Sequence, residues 1–430
     1  MGKTAAITPA AASRHTGEPG SYDILILDAG YKQSLAAARS LGRAGLRVAM
    51  GECFVECDPA LPVLAFQSRY SACNVHLPSY ADDPDAFALA IADFVREHPT
   101  RVVLPTGDGV IASLAPYREL LAGLGCVLAL APNPALEIAT DKDLTLEVAR
   151  KLGIEQPRTI RIDCLDDLPG VLAEISFPFV LKPTVSWTGV SGHRLPPMEV
   201  IDRDEAASVA GQMLAAGSSV LAQELATGRR EGVTLFMADG DVRAACAHVA
   251  YRTSPPLGGA SVMRESIPLP ADIYGPAVKL VRAIGLEGVS EVEFRRDADG
   301  RPLLMEINPR LAGTIENAAR SGVDFPLLIW QWAAGLPIDR VARYRAGVRT
   351  QWVHGELRWL KANYQRAGRP DSVPRSRALW TVASELVRTR RYDCFDRHDM
   401  APGLAELRYT VTRMFKSGNA PVTYLPRKEL

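Results

Sequence analysis

The chain lacks an excess of charge of either sign: Lys+Arg and Asp+Glu both number 49 in 430 residues. That balance gives no sign of a nucleic-acid or membrane partner. No apolar run approaches the roughly 18 residues needed to span a bilayer. Residues 1–21, MGKTAAITPAAASRHTGEPGS, have no continuous apolar core, so they are read as a disordered tail and not as a signal peptide. Ala6 stands where myristoylation of Gly2 would need a small hydroxyl residue. Cysteine is sparse and odd in number, with seven in the whole chain. This argues against a disulfide framework and for reduced thiols in the cytoplasm. Cys53, Cys57, Cys73 and His76 have the side chains of a zinc site without its spacing, so plain thiols are expected there. The first strand–helix turn, Asp28-Ala29-Gly30-Tyr31, lacks G-x-G-x-x-G, which argues against a dinucleotide cofactor. Beyond the tail there is no low-complexity stretch, and there is no internal repeat.

What is present is ordinary globular material, 47% apolar and 23% charged, long enough for about three domains. Residues 22–131 alternate apolar strands (YDILILDA, LRVAMGE, RVVLP, CVLALA) with helical segments, which implies an α/β domain with a parallel sheet. Ligands on such sheets bind beyond the carboxyl ends of the strands, where Gly30 and the turn Thr106-Gly107-Asp108 would lie. Ordinary turn chemistry accounts for those residues equally well. Residues 132–338 mix helices with antiparallel strands, an α+β pattern. They open with helix DKDLTLEVARKLG, whose Leu144, Val148 and Leu152 predict an apolar stripe. Residues 339–430 contain Trp352, Trp359 and Trp380 and predict a packed C-terminal module, with a dense charged stretch from Arg390 to Met400.

The most informative segment is Val289 to Arg310, VSEVEFRRDADGRPLLMEINPR. It reads as two strands joined at Asp299-Gly300, a preferred two-residue hairpin turn. That turn pairs residues whose numbers sum to 599, which sets Glu293 opposite Glu306 and Glu291 opposite Asn308. Residues two apart on a strand share a face, so all four point the same way. Facing carboxylates repel unless something neutralises them, and Mg²⁺ takes oxygen ligands from a few carboxylates together with substrate phosphates. Arg310, just beyond, is suited to a charge-assisted bond to a phosphoryl oxygen. The competing readings are an exposed hairpin with scattered acids, or a register slipped at a bulge. Upstream, Lys182 ends the apolar strand FPFVLKP, and the loop Thr184 to Gly192, TVSWTGVSG, follows at once. A lysine there can place a compact charge on a phosphate beneath a closing loop, or it can simply snorkel at a strand end. Trp187 in that loop either stacks or packs.

E-V-E-F, D-x-D-G and L-M-E-I-N-P-R closely resemble the metal-binding end of ATP-grasp enzymes. Within that superfamily the chain looks most like bacterial carboxylate–amine ligases related to biotin carboxylase and carbamoyl-phosphate synthase, over about residues 22–335. The resemblance implies a pre-ATP-grasp domain, an ATP-grasp domain and a C-terminal extension, with ATP and two Mg²⁺ ions (Mn²⁺ as a substitute) as cofactors. Glu293, Glu306 and Asn308 then correspond to metal ligands, Lys182 to the central ATP lysine and Lys142 to the outer one. Gln223, Glu224 and Leu225 resemble the adenine hinge, and Glu231 matches the acid that accepts from the ribose hydroxyls. The segment carrying Arg252, Gly258, Gly259 and Arg264 resembles the substrate-side loop and strand. Arg264 there either binds the transferring group or pairs with a surface acid. His248 would face Glu231 across the Asp239-Gly240 hairpin in a packing role. Glu291 departs from D-alanine–D-alanine ligases, which have Arg at that position to hold the acyl phosphate. Arg264 or Arg310 would have to serve instead.

The activity implied is ligation of a small-molecule carboxylate to an amine through an acyl phosphate, by a soluble cytoplasmic enzyme that can form a homo-oligomer. A carboxylase or phosphotransferase is the first alternative, although no carrier motif (a Lys flanked by two Met) is present. A non-catalytic nucleotide-binding regulatory subunit is the second, and the intact acids and lysines argue against it. The C-terminal module has two readings: a packing extension, or a selector bordering the second substrate with Arg349 and Arg397 as anion contacts.

Overall fold

The computed structural model describes residues 20–416 except 54, 56–60, 190–194, 257, 366–367 and 370–371. The N-terminal tail, Cys57 and the end of the loop after Lys182 therefore lie outside the described residues. The first sheet combines β1 (Tyr22–Ile26), β2 (Val48–Glu52), β3 (Ser71–His76), β4 (Thr100–Leu104) and β5 (Val127–Leu128). All pairings are parallel, in the order β3-β2-β1-β4-β5. The inner strands β1, β2 and β4 are largely buried on both faces, which is why they read as apolar stretches, whereas edge strand β3 (SACNVH) is half-exposed and polar. The order reverses at β1, so the crevice beyond the ends of β1 and β4 is the expected ligand edge.

A second, smaller sheet combines β6 (Thr159–Ile162), β7 (Phe179–Pro183), β8 (Met198–Val200) and β9 (Val220–Glu224) in the order β6-β9-β7-β8. Helices Leu168–Glu174 and Arg203–Ala215 close a core of its own, built around Ile162, Phe179, Leu181, Val220 and Ala222. The third sheet is antiparallel: β10 (Arg230–Ala238), β11 (Asp241–Ser254), β12 (Ala260–Ile267), β13 (Gly288–Arg296), β14 (Pro302–Asn308) and β15 (Arg349–Gln351). Its order is β14-β13-β10-β11-β12-β15.

Two Asp-Gly turns behave differently. At β10–β11, Asp239 and Gly240 both have positive φ (57° and 73°), as a two-residue type I′ turn requires. At β13–β14 the loop is longer: Asp297 N–H donates to Arg301 O, and only Gly300 (φ 82°) is left-handed. The Asp297 carboxylate fastens this loop by accepting from the backbone of Asp299 and Arg301. Near the turn the pairs are therefore Arg296↔Pro302 and Phe294↔Leu304, one residue off the two-residue register. A bulge between Glu293 and Phe294 restores the shift, and the expected pairs Glu293↔Glu306 and Glu291↔Asn308 both form.

Two expectations hold in part: Val148 and Leu152 pack against the core as the stripe predicts, and two of the three tryptophans of the C-terminal module are packed. On helix Lys142–Lys151 the buried residues are Lys142, Thr145, Leu146 and Ala149, while Leu144 is 42% exposed. The helix is rotated because Lys142 turns inward, its backbone N–H bonding Thr184 O and its helix capped by Asp141. In the C-terminal module Trp352 and Trp359 are packed, but Trp380 is 72% exposed. Helices Val353–Gln365 and Arg375–Arg388 enclose a small core around Trp359, Ala378 and Val382. This module is built into the rest of the chain. β15 extends the third sheet, and Arg39 of helix Lys32–Arg43 is fully buried against it. Arg39 bonds the Asp399 carboxylate and the carbonyls of Asp393, Cys394 and Asp399.

Candidate active site

One face of the third sheet gathers the acids. Residues directly opposite share a face, so the register chains Glu306 to Glu293, Glu293 to Gly232, and Gly232 to His248. Beside this row run Asn308, Glu291, Thr234 and Cys246, and on its other flank Arg295, Arg230, Ala250 and Arg264. Glu293 and Asn308 are buried. The Asn308 Nδ2 donates to Glu293 Oε1 at 3.2 Å, and its Oδ1 accepts from Arg310 Nη2 at 3.0 Å. Glu291 turns aside to accept from the hydroxyls of Thr314 and Thr234. Burial, with Glu306 and Glu291 close by, holds the Glu293 carboxyl above the usual carboxylate range against the opposing pull of Arg230.

Two lysines lie near each other beside this face, Lys182 on the smaller sheet and Lys142 at the start of helix Lys142–Lys151. Lys182, at the end of β7, is buried and its Nζ lies 2.5 Å from Gln223 Oε1 on β9. Burial lowers its pKa to about 8; Glu306 and Glu293 resist that shift, while Lys142 and Arg295 add to it. Lys182 is thus within electrostatic reach of both facing acids. Lys142 Nζ bonds Ser186 Oγ at 2.9 Å in the loop after β7. Gln223 is 1% exposed and donates to Thr159 Oγ1, Glu224 is exposed with its N–H on Arg158 O, and half-buried Leu225 follows. Trp187 packs edge-on against Tyr80, with ring centroids 4.9 Å apart, so the loop rests on the first domain.

Glu231 is not brought to the acidic row. It pairs with Phe294 and Val249 across the sheet, on the opposite face, and its carboxylate is held by Arg229 and Arg296. His248 lies over Gly232, not opposite Glu231: a Cβ on Gly232 would come within 2.4 Å of its ring. Burial lowers the His248 pKa to about 3, Arg264 and Arg230 adding to the shift, so the imidazole is neutral. Arg310 is buried and salt-bridged to Asp108 at the carboxyl edge of the first sheet. Arg264 is fully buried on the Asp393 carboxylate, which also accepts from Lys32 Nζ at 2.8 Å. Arg252 is paired with Glu356. Arg349 sits on edge strand β15 against Glu265 at 2.6 Å, and Arg397 is exposed beside His398.

Sequence reasoning missed Arg230 and Arg295, directly opposite each other beside the acidic row. Arg230 Nη2 lies 2.5 Å from Glu293 Oε2. Alternation along β10 puts Arg230 and Gly232 in one phase, but only the pairing of β10 with β13 sets that phase against Glu293.

The donor set fits a hard cation of modest protein coordination. Glu293, Glu306 and Asn308 offer oxygens, and among the described residues no group of three or more His, Cys, Asp or Glu forms a metal cage. Mg²⁺ is typically held by one or two carboxylates plus phosphates and water, which is what two acids and an amide allow. No helix among the described residues is long and apolar enough to cross a membrane.

Comparison with known proteins agrees with this architecture. The family described as "ATP-grasp in the biosynthetic pathway with Ter operon" matches residues 259–356, a span that carries both facing acids. The carbamoyl phosphate synthase large chain of Archaeoglobus fulgidus is 25% identical over 276 residues, covering 59% of this chain and 25% of that protein. The Halomonas eurihalina large chain is 24% identical over 278 residues, 61% of this chain and again 25% of that protein. The chain thus spans about a quarter of the length of these relatives. Among solved structures, the L-amino acid ligase from Bacillus licheniformis superposes with a TM-score of 0.56 at 19% identity, covering 74% of this chain and 75% of that one. The biotin carboxylase–ATP-analogue complex from Campylobacter jejuni gives 0.60 at 16% identity, covering 76% and 74%.

Proposed function

We propose that this chain, which belongs to the ATP-grasp superfamily, is a ligase joining a carboxylate to an amine at the expense of ATP. The observation carrying this reading is the pairing of Glu293 with Glu306, with Lys182 in electrostatic reach of both. A carboxylate oxygen of the first substrate attacks the γ-phosphorus, and ADP leaves with the electrons of the broken P–O bond. The amine nitrogen then attacks the acyl carbon, phosphate departs, and the nitrogen loses a proton. Glu293, Glu306 and Asn308 would hold Mg²⁺, which when bound neutralises charge between the β- and γ-phosphates. Lys182, from the smaller sheet, and Lys142, from the start of helix Lys142–Lys151, would carry the remaining phosphate charge. Gln223, Glu224 and Leu225 line the strand end where the base would lie.

Catalysis of this kind is positioning and charge neutralisation, with no covalent enzyme intermediate. Among the described residues of this face His248, with its pKa lowered to about 3 by burial, is a weak base, so orientation is the chief contribution on the amine side. The likeness to biotin carboxylase supports a second reading, an ATP-dependent carboxylase. The test is an ADP-release screen over paired acids and amines, run with and without bicarbonate. Release that requires both an acid and an amine upholds the ligase. Release that requires bicarbonate upholds the carboxylase, and tight ATP binding without release under any condition overturns both.

A further inference from the structure

We infer that Arg230 is a resident counter-ion of the nucleotide-free site, which gives up Glu293 to the metal and turns to the nucleotide's phosphates when both arrive. The inference rests on the reading of Glu293 as a metal ligand. Its basis is the sheet register. Arg230 shares the acidic face but lies one pair away from Glu293, because Gly232 is the direct partner of Glu293. The His248 ring fills the space over Gly232, and the guanidinium reaches diagonally past that position to the acid. Arg230 Nη2 sits 2.5 Å from Glu293 Oε2, with the two side chains only 14% and 8% exposed. Its Nη1 donates to Gly259 O at 2.8 Å, at the start of β12.

A buried acid on this face needs a cation whenever the metal is absent. Arg230 supplies one without being able to share the carboxylate with a dication, since like charges at contact repel strongly in a poorly solvated site. Arg230 faces Arg295 directly across β10 and β13, and Arg295 in turn interacts with Lys182, which has Lys142 near it. That basic surround is matched by the polyanion that arrives with the metal. The bond to Gly259 O keeps the guanidinium close to the site while it changes partners. The consequence is an ordering: the empty protein resists free divalent metal and accepts it together with nucleotide.

The experiment uses the full chain, Arg230→Met and Arg230→Lys, with free Mn²⁺ followed by electron paramagnetic resonance and ADP binding by calorimetry. In Arg230→Met, Mn²⁺ without nucleotide should bind about tenfold more tightly and ADP with Mg²⁺ about tenfold more weakly, with Arg230→Lys between the two. Unchanged affinities for both ligands in a folded variant would overturn the inference and make Arg230 a purely structural partner. Should Arg230→Met fail to fold, Glu293→Gln provides the reciprocal test. Freeing Arg230 in that variant should tighten metal-free ADP binding by about tenfold, and no change would again overturn the idea. A wild-type protein that binds neither ADP nor Mn²⁺ under any condition would instead bring down the nucleotide reading itself.

Discussion

Glu293 and Glu306 stand directly opposite each other on neighbouring antiparallel strands, although the turn that joins those strands is a residue longer than two. The bulge beside Glu293 absorbs the extra residue. Two acids so placed repel each other unless a cation lies between or beside them.

Glu306→Gln follows directly from this. Removing one of two facing charges relieves repulsion, so thermal unfolding should be unchanged or shift upward. Turnover should fall by about a hundredfold or more, because phosphate charge is left less neutralised. Differential scanning calorimetry with an ADP-release assay checks both, and an unaltered kcat would remove the metal assignment.

Lys182 bonds Gln223 and is buried near a second lysine, Lys142. In Lys182→Ala the KM for ATP should rise by roughly tenfold while the KM for the acid moves little. Equal changes in the two constants would place Lys182 away from the nucleotide.

Arg39→Ala tests how the C-terminal module is attached. The guanidinium is 0% exposed and satisfied wholly by residues Asp393, Cys394 and Asp399. Its removal leaves buried Asp399 without its cation and should cost roughly 3–5 kcal/mol in urea unfolding. Limited proteolysis should then cut first between residues 389 and 400. Wild-type cleavage patterns and stability would show that the module is held elsewhere.

Glu406 gives a pH signature. Its carboxylate is 2% exposed, bonded to Trp352 Nε1 at 2.7 Å and approached by Cys394 Sγ at 3.3 Å. Burial raises its pKa from 4.5 to about 7 despite those two bonds. Below the lower value both folded and unfolded chains hold the proton, and this contribution to stability is fully present. As pH rises through the upper value it is lost, by on the order of 3 kcal/mol at most. Glu406→Gln should therefore gain on the wild type between pH 5 and 8. Parallel stability curves for the two proteins would show that the carboxyl titrates normally.

Local chemistry was legible in the residues alone. Apolar runs marked four of the five parallel strands of the first sheet, all but the polar edge strand Ser71–His76, and Asp239-Gly240 marked a hairpin because few residues tolerate two positive φ values. The pairing of Glu293 with Glu306 was legible too, since hairpin partners are close in sequence and a period of two puts them on one face. What separated in space could not be read that way. Whether Glu231 or Arg230 faced the acids depended on the register of β10 against β13, some sixty residues apart, and a shift of one residue exchanges the two faces. Helix Lys142–Lys151 turned its stripe because a polar contact at its first residue outweighed exposure of one leucine. Arg264 and Arg310 looked available to a substrate until Asp393 and Asp108 came to them from distant segments. Sequence by itself determined which strands and turns form, because those preferences act over a few residues. The tertiary structure alone decided which charges stay available, because a buried ion takes whatever partner the packed chain brings within reach.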